Sequence, residues 1–390
     1  MITKRSRVGP LKMGIVADEF FHTKWGRMGG WGWTARQVAK VFNSNPQLDV
    51  VPVFLNAEPF DRNEFSPSEM HDTKVICRIK GARDDYARNL NAEEFDVLLL
   101  IDYRPKYNPT LELLPDTPLI LWIHTPRTRP IWEMIQTLRF PNDTSTQPQG
   151  IDFYDCTGIN KYCMQSGRAA AFAVTTRSLI PLASNTYGIS EPVSDVLPNI
   201  LDVNVQNVQK SLKPSVVFLG RLDPIKRPWL FLSLARRFSS VDFYMLGHSH
   251  FEGVGSWVPN SVPPNVKMLG HVDGSAKMQV LKSAWVLVNT SIHEALAISW
   301  LEALACETPI LSCQDQEDVV RRFGHFIGEW PGGGCAALPA FEQGLKMLLV
   351  QHEKRQSLGK SGRVWVSNKH SIKAFTRAFN YLCNKIGIER

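Results

Sequence analysis

Residues 285–312 read WVLVNTSIHEALAISWLEALACETPILS. The apolar run Trp285–Val288 predicts a strand, Ala297–Ala305 predicts a helix, and Pro309–Ser312 predicts a second strand. Two strands joined through a helix form a βαβ unit, in which the strands run parallel. This stretch therefore predicts an α/β fold with a parallel sheet.

Similar segments continue the alternation in both directions. In the second half of the chain we predict strands at Val216–Leu219, Phe243–Leu246 and Val266–Leu269, and helices at Trp229–Phe238, Lys277–Ser283, Ala340–Leu349 and Glu353–Arg363. In the first half we predict strands at Met13–Ala17, Val50–Leu55, Val97–Ile101 and Leu119–Ile123, and a helix with Thr34 as its N-cap. Their near-continuous apolar runs are typical of parallel strands covered on both faces. Two such series predict two doubly wound, Rossmann-like domains that face each other across a cleft.

The domain boundary is predicted where the periodic patterns stop. Residues 192–214 contain three prolines and few long periodic patterns, as is typical of a linker. We expect an N-terminal domain at 1–205 and a C-terminal domain at 206–370. The segment 371–390 contains an amphipathic stretch, Ile372–Ile386, which predicts a final helix that packs back on the N-terminal domain.

Composition narrows the class of protein. The chain has 390 residues, and 44 Lys and Arg against 37 Asp and Glu give a net charge of +7. This charge suits anionic partners such as phosphorylated ligands, nucleic acid or an acidic membrane surface, without choosing among them. The seven cysteines include no CxxC pair, which favours reduced thiols in a cytoplasmic protein. No apolar run approaches the ~20 residues that span a bilayer, so we expect a soluble or peripheral protein.

Two carboxylates, Glu294 and Glu302, indicate a sugar-binding site. We expect Glu294 in the loop after the strand Trp285–Val288 and Glu302 inside the following helix. The start of that helix, at Ala295, Leu296 and Ala297, would present free N–H groups to an anion. Carboxylates accept hydrogen bonds from sugar hydroxyls. The combination suits a nucleoside diphosphate sugar, with one carboxylate on the ribose and one on the transferred sugar.

Cations follow the strand that opens the second series. The segment FLGRLDPIKR (residues 218–227) places Arg221 and Lys226 directly after a strand. A planar guanidinium and a compact ammonium together suit a diphosphate leaving group. The alternative interpretation is a solvated basic loop.

The first half of the chain contributes two weaker signals. Gly29 and Gly30 come before a predicted helix, and glycines there let backbone N–H groups approach a phosphate. The alternative is a plain turn. His124 follows the strand Leu119–Ile123, at the edge where parallel sheets bind ligands. The alternative is a structural histidine.

Taken in this order, the motifs resemble glycosyltransferase family 4, whose members are retaining enzymes of the GT-B fold. GGWGWTARQVAKVF (29–42) looks like the family's Gly-Gly loop and first helix, FLGRLDPIK is similar to its G-R-x-(x)n-K segment, and HEALAISWLEALACETPIL is similar to its E-x7-E region. The Ala295-Leu296-Ala297 sequence departs from the Gly-Phe-Gly that usually follows the first glutamate.

The resemblance implies a role for each candidate residue. Arg221 and Lys226 neutralise the departing diphosphate, with help from the Gly29-Gly30 loop and the helix start at Ala295–Ala297. Glu294 holds the hydroxyls of the donor sugar and Glu302 holds the ribose, while His124 orients the acceptor or the sugar. This scheme requires no metal and no cofactor beyond the nucleoside diphosphate sugar. The acceptor site belongs to the domain at 1–205 and the donor site to the domain at 206–370.

The resemblance thus implies a retaining hexosyltransferase that uses a UDP- or GDP-linked sugar and a glycan or lipid-linked glycan acceptor, and we expect no nucleic-acid partner. Two alternatives stay open: a non-catalytic nucleotide-sugar-binding protein of the same fold, and a nucleotide-sugar isomerase or hydrolase. Basic and aromatic residues mix in the segment KWGRMGGWGW (24–33), which suits peripheral contact with a membrane. The alternative is that its tryptophans pack within the protein.

Overall fold

The structure is a computed structural model, and it describes residues 9–21, 29–61, 66–141, 153–189, 195–201, 205–249 and 257–389. The described residues form two compact units. The first unit contains those within Met1–Thr128, Phe153–Asp202 and His370–Arg390, and the second contains those within Arg129–Asp152 and Val203–Lys369. Residues 129–141 therefore group with the second unit, although the sequence places them in the middle of the predicted N-terminal domain.

The first unit is built on an eight-stranded sheet. Its strands are β1 (Leu11–Ala17), β2 (Val50–Phe60), β3 (Glu69–Met70), β4 (Thr73–Ile79), β5 (Val97–Ile101), β6 (Leu119–Ile123), β7 (Ala170–Val174) and β8 (Asp195–Val196). The strand order is β3-β4-β2-β1-β5-β6-β7-β8. All neighbours are parallel except β3 and β4. Every residue of β5 and β6 is buried, as expected where helices cover both faces of a parallel sheet.

Six of the helices, numbered along the whole chain, belong to this unit: α1 (Gly30–Ser44), α2 (Arg83–Asn91), α3 (Asn108–Leu113), α5 (Thr157–Ser166), α6 (Ile180–Tyr187) and α13 (Ile372–Lys385). Strand β1 has β2 on one side and β5 on the other, so that Ile15 pairs with both Phe54 and Leu99. Chain connections diverge at such a switch point, which leaves a crevice at the carboxyl ends of the strands.

The predicted N-cap of the first helix is wrong. Helix α1 begins at Gly30, and Thr34 lies inside it, where its hydroxyl donates to the carbonyl of Gly30 at 2.9 Å. Gly32, inside the helix, fits tightly against the chain that follows β1. A Cβ at Gly32 would lie 2.8 Å from the backbone nitrogen of Phe21.

The final helix, α13, covers the core of the first unit. Phe375 and Phe379 are fully buried, and their ring centroids lie 6.2 and 5.6 Å from that of Phe42 in α1. Ser371 caps the helix by accepting the backbone N–H of Ala374 at 3.2 Å. The helix is therefore an integral part of this unit.

The second unit holds a six-stranded parallel sheet. Its strands are β9 (Ser215–Leu219), β10 (Asp242–Leu246), β11 (Val266–Gly270), β12 (Val286–Asn289), β13 (Ile310–Ser312) and β14 (Gly324–Phe326), in the order β11-β10-β9-β12-β13-β14. Its helices are α4 (Arg129–Thr137), α7 (Pro228–Ala235), α8 (Gly274–Ser283), α9 (Ile298–Ala305), α10 (Val319–Phe323), α11 (Leu338–Val350) and α12 (His352–Lys369). The switch point of this sheet lies between β9 and β12.

Helix α4 belongs to this unit because of its apolar side chains. Ile135 and the nearby Leu138 form a buried cluster with Ile225, which follows β9, and Ile292, which follows β12. The linear sequence does not indicate this grouping.

Replacing Phe379 by alanine tests the packing of α13. Since the side chain is fully buried, we expect the free energy of unfolding of the first unit to fall by about 3–5 kcal/mol. The measurement is hydrogen exchange of first-unit peptides under increasing urea. Tyr381→Ala, on the same helix but 58% exposed, is the control and should change stability by less than ~0.5 kcal/mol. Equal effects of the two substitutions would contradict the packing described.

Candidate functional site

The loops after β9 and β12 are joined to each other. The two strands are parallel neighbours, so both loops emerge at the same edge of the sheet. The hydroxyl of Thr290 donates to the carbonyl of Lys226 at 2.6 Å, and the N–H of Ile292 donates to the carbonyl of Ile225 at 2.9 Å. These bonds bring the loop that carries Lys226 beside the loop that carries Glu294.

Glu294 lies in the loop before α9 and is 7% exposed. Its Oε1 accepts hydrogen bonds from Lys226 Nζ at 2.5 Å, Ser291 Oγ at 2.6 Å and Asn289 Nδ2 at 3.1 Å. Within the described residues, no donor reaches Oε2. One carboxylate oxygen therefore fixes the side chain, and the other can accept a hydrogen bond from a ligand.

The surroundings of Glu294 keep it ionised. Burial by itself would raise the pKa of this carboxyl group. The ammonium of Lys226 and the hydrogen bonds from Ser291 and Asn289 outweigh burial, and together they lower the pKa below its ordinary value. The carboxylate of Glu294 can therefore accept a hydrogen bond from a hydroxyl group, and the side chain of Lys226 can donate to a phosphate oxygen.

The two arginines of this segment have different surroundings. Arg221 is about one-third exposed, and its Nε lies 3.1 Å from Asp223 Oδ2. Arg227 is fully buried and donates to the carbonyls of Thr290 at 2.7 Å and Trp330 at 2.8 Å. Arg227 is thus a structural residue, and Arg221 and Lys226 are the cations that face outward.

Helix α9 begins without a side-chain cap. Its N-cap residue, Ala297, has an extended backbone and makes no capping hydrogen bond through its side chain. Ala295 is half-buried, and Leu296 and Ala297 are buried. The first N–H groups of a helix have no acceptor within the helix, so this end offers backbone donors to an anion.

Glu302 lies inside α9, as expected, but its partner was not predicted. Lys277 Nζ lies 2.7 Å from Glu302 Oε1 and 3.2 Å from Asp273 Oδ1. Lys277 and Glu302 are both buried. Burial alone would lower the pKa of Lys277, but the two carboxylates raise it above its ordinary value. The signal that sequence reasoning missed is spacing: Lys277 lies four residues before Leu281, the other buried residue of α8.

His124 lies in the first unit, directly after β6. Its backbone N–H donates to Asp102 Oδ1 at 2.8 Å, and its ring centroid is 4.3 Å from that of Trp122. The ring is buried, and Nε2 has no hydrogen-bond partner among the described residues. Burial lowers the pKa of His124 to about 3, so the imidazole is neutral at neutral pH.

The glycine loop is already in contact with a carboxylate. The N–H of Gly29 donates to Glu19 Oε2 at 2.9 Å, and a Cβ at Gly29 would lie 2.5 Å from that oxygen. A Cβ at Gly30 would meet no atom within 4 Å. The prediction placed both backbone N–H groups near a phosphate, whereas in this structure Glu19 takes the one at Gly29. Glu19 follows β1 and is a buried residue that sequence reasoning missed.

Three further expectations concern metals and membranes. No group of three or more His, Cys, Asp or Glu side chains is placed to hold a metal ion in the part of the chain that is described. None of the described helices is long and apolar enough to cross a membrane. Trp33 is buried, and Trp31 donates its indole N–H to Thr125 Oγ1 at 3.4 Å, so both pack within the first unit. Residues 24–28 of the basic and aromatic segment lie outside the described residues.

A pH titration tests the burial of His124. Unfolded histidine protonates near 6.5 and the folded residue only near 3, so the native state gains stability above pH 6.5 and loses it as the pH falls. Between pH 7 and pH 5 this group should lower the free energy of unfolding by about 2 kcal/mol. We expect His124→Gln to remove this pH-dependent part of the free energy of unfolding, which urea unfolding at each pH measures. The native chain, measured in the same pH series, is the reference. An unchanged profile in His124→Gln would contradict the burial.

Comparison with known proteins adds to this geometry. Residues 203–365 match the model of the family Glycosyl transferases group 1. The fold is similar to that of HepE from Anabaena in complex with UDP-glucose, with a TM-score of 0.66 and 13% identity over 96% of this chain and 100% of that one. It is also similar to a glycosyltransferase from Rickettsia africae, with a TM-score of 0.67 and 11% identity over 97% and 99% of the two chains. A third similar structure is the lipopolysaccharide outer core galactosyltransferase WaaB, with a TM-score of 0.59 and 15% identity over 96% and 99%.

No curated protein sequence is significantly similar to this chain. The structural likenesses confirm the predicted fold class of two Rossmann-like α/β domains. The chain thus has the GT-B fold, and most of its second unit matches the group 1 glycosyl transferases, which supports a glycosyltransferase enzyme.

Proposed function

We propose that this chain is a retaining glycosyltransferase of the family 4 type. It transfers a hexosyl residue from a UDP- or GDP-linked sugar to a hydroxyl group of a glycan or a lipid-linked glycan. The observation that carries the proposal is the pair formed by the buried Glu294 and the half-buried Lys226. Three donors hold Oε1 of the carboxylate, while Oε2 receives none from the described residues.

The cations act on the leaving group. When the bond between the anomeric carbon and the phosphate oxygen breaks, its electron pair stays on the diphosphate. Lys226, Arg221 and the N–H groups at the start of α9 stabilise that charge. Preorganised donors of this kind lower the barrier because they are already oriented when the charge develops.

Glu294 positions the sugar and Glu302 positions the nucleotide. The free oxygen of Glu294 accepts a hydrogen bond from a hydroxyl of the transferred sugar, and Glu302 accepts from the ribose. In a retaining transfer the acceptor oxygen bonds the anomeric carbon on the face that the phosphate leaves. The hydroxyl proton departs with the phosphate oxygen, so that charge and atoms balance.

His124 acts as a hydrogen-bond partner of the acceptor or the sugar. Its unpartnered Nε2 and low pKa support this role, because an imidazole that protonates near 3 is neutral at working pH. It therefore orients a hydroxyl group and does not hold a positive charge. The backbone of Gly30, where a Cβ would meet no atom within 4 Å, is the part of the glycine loop that we assign to the diphosphate.

If the acceptor is a lipid-linked glycan, the protein works in the cytoplasm and contacts the membrane surface that holds this acceptor. The segment 24–28, with Lys24, Trp25, Arg27 and Met28, is the candidate contact. Liposome co-sedimentation tests it: sedimentation equal to that of a neutral control protein would contradict membrane contact.

The first experiment identifies the donor. Thermal unfolding is measured with UDP, GDP, UDP-glucose, UDP-N-acetylglucosamine and GDP-mannose. A ligand at about 100 times its dissociation constant stabilises the folded protein by ~2.7 kcal/mol. A shift with one nucleotide family identifies the base, and no shift with any of them in a folded sample contradicts the donor site.

Substitutions then test the pair. With the donor identified, we expect Lys226→Met and Glu294→Gln each to lower the rate of sugar transfer by about 10²–10³, measured as glycoside product. Lys213→Met is the control, because Lys213 precedes β9 at the other end of that strand and pairs with Asp242. Native rates in the two site variants would contradict the assignment.

The same assay separates the alternatives. Free sugar or an isomerised nucleotide sugar, formed without glycoside, would indicate a hydrolase or an isomerase. Nucleotide binding without turnover would indicate a binding protein.

A further inference from the structure

The second carboxylate of the site is held in the same way as the first. Glu294 is fixed through Oε1 by Lys226, and Glu302 is fixed through Oε1 by Lys277 at 2.7 Å. Within the described chain, no donor reaches Oε2 of Glu302. Each carboxylate thus has one oxygen bound to a buried or half-buried lysine and one oxygen left for a ligand.

Lys277 comes from a different helix than Glu302. Lys277 is on α8 and Glu302 is on α9, and Asp273 at the start of α8 also contacts the ammonium, at 3.2 Å. The Lys277 side chain is only 7% exposed. The contact therefore ties the carboxylate of α9 to the neighbouring helix.

Stability alone does not account for this arrangement. A buried ion pair adds little stability, because removing both charges from water offsets their attraction, and an apolar pair of similar volume is often as stable. The arrangement does restrict the carboxylate of Glu302 to one position. Such restriction matters where a carboxylate must accept a hydrogen bond at a set place.

We propose that Lys277 is a positioning residue for the nucleotide: it orients Glu302 so that Oε2 accepts a hydrogen bond from a ribose hydroxyl. This inference rests on the proposed function, in which Glu302 holds the ribose. Lys277 acts through Glu302 and contacts no reacting atom. It sets the affinity for ribonucleotides over their deoxy counterparts.

Calorimetric titration with two nucleotide pairs tests the proposal. The probes are UDP against 2′-deoxy-UDP and GDP against 2′-deoxy-GDP, each with its 3′-deoxy analogue. In the native chain we expect removal of the relevant hydroxyl to weaken binding about tenfold, which corresponds to ~1.4 kcal/mol. In Lys277→Met we expect weaker binding of the ribonucleotide. The ratio of the dissociation constant of the deoxynucleotide to that of the ribonucleotide should then be near one.

Three variants make the test specific. Lys277→Arg keeps the cation and should restore most of the ratio. Lys282→Met, on the same helix, is the matched control and should keep the native ratio. The double variant Lys277→Met/Glu302→Gln should bind no more weakly than Glu302→Gln alone, because Lys277 acts through that carboxylate. The double variant also removes both charges, so it provides the comparison if Lys277→Met alone fails to fold.

The outcomes distinguish a failure of this inference from a failure of the proposed function. If the native chain binds neither nucleotide, the proposed function is overturned. If it binds one but does not distinguish the deoxy forms, or if Lys277→Met keeps the native ratio, only the inference is overturned. In Lys277→Met the rate of sugar transfer at saturating donor should change little, while KM for the donor rises. A general loss of structure would lower the rate as well.

Discussion

A buried guanidinium, that of Arg227, holds together the loops of the donor site. It donates to the carbonyls of Thr290 and Ser291, which lie between β12 and Glu294. The same residue follows Lys226 directly, so one side chain links the loop that bears the lysine to the loop that bears the carboxylate. A buried charge is tolerated only when its donors are satisfied, and the acceptors of Arg227 are four carbonyls and the sulfur of Cys313.

The paired lysines and carboxylates depend on this frame. An ammonium or a carboxylate that lost its partner in these surroundings would change its protonation or draw in water. Glu294 and Glu302 each have a lysine within 2.7 Å, and the pKa of Glu294 is held below its ordinary value. The site is therefore organised before any ligand arrives, so a ligand need not order these side chains when it binds.

In the first unit, the candidate residue His124 is held by buried neighbours and hydrogen bonds and not by an ion pair. The carboxylate of Asp102 is fully buried at the end of β5 and accepts the backbone N–H groups of His124 and Thr125. Burial raises the pKa of Asp102 to about 6, and the hydrogen bonds from the two N–H groups counteract part of that rise. The turn that bears His124 is thus bound to the neighbouring strand, and the ring is held against Trp122 as a neutral imidazole.

The sequence by itself determined the fold class and most of the strands. Runs such as Val97–Ile101 and Leu119–Ile123 are apolar throughout, and this local pattern is what both faces of a buried parallel strand require. Strand β4 was missed because Lys74 and Arg78 interrupt its apolar residues, and β7 because its AAFAV sequence is mostly alanine. The choice of Glu294, Glu302, Arg221 and Lys226 as candidates also came from the sequence, through motifs at a recognisable spacing.

Only the tertiary structure decided how those candidates are paired. Lys226 and Glu294 are 68 positions apart, and nothing in the local pattern states that Lys226 faces the carboxylate while the adjacent Arg227 turns into the core. The same holds for Lys277 beside Glu302, for Glu19 on the N–H of Gly29, and for the grouping of α4 with the second unit. The periodicity of a sequence indicates which face of a helix or strand is buried. The partner of a charged group depends on which helices and strands contact each other, and the packing of the whole chain determines those contacts.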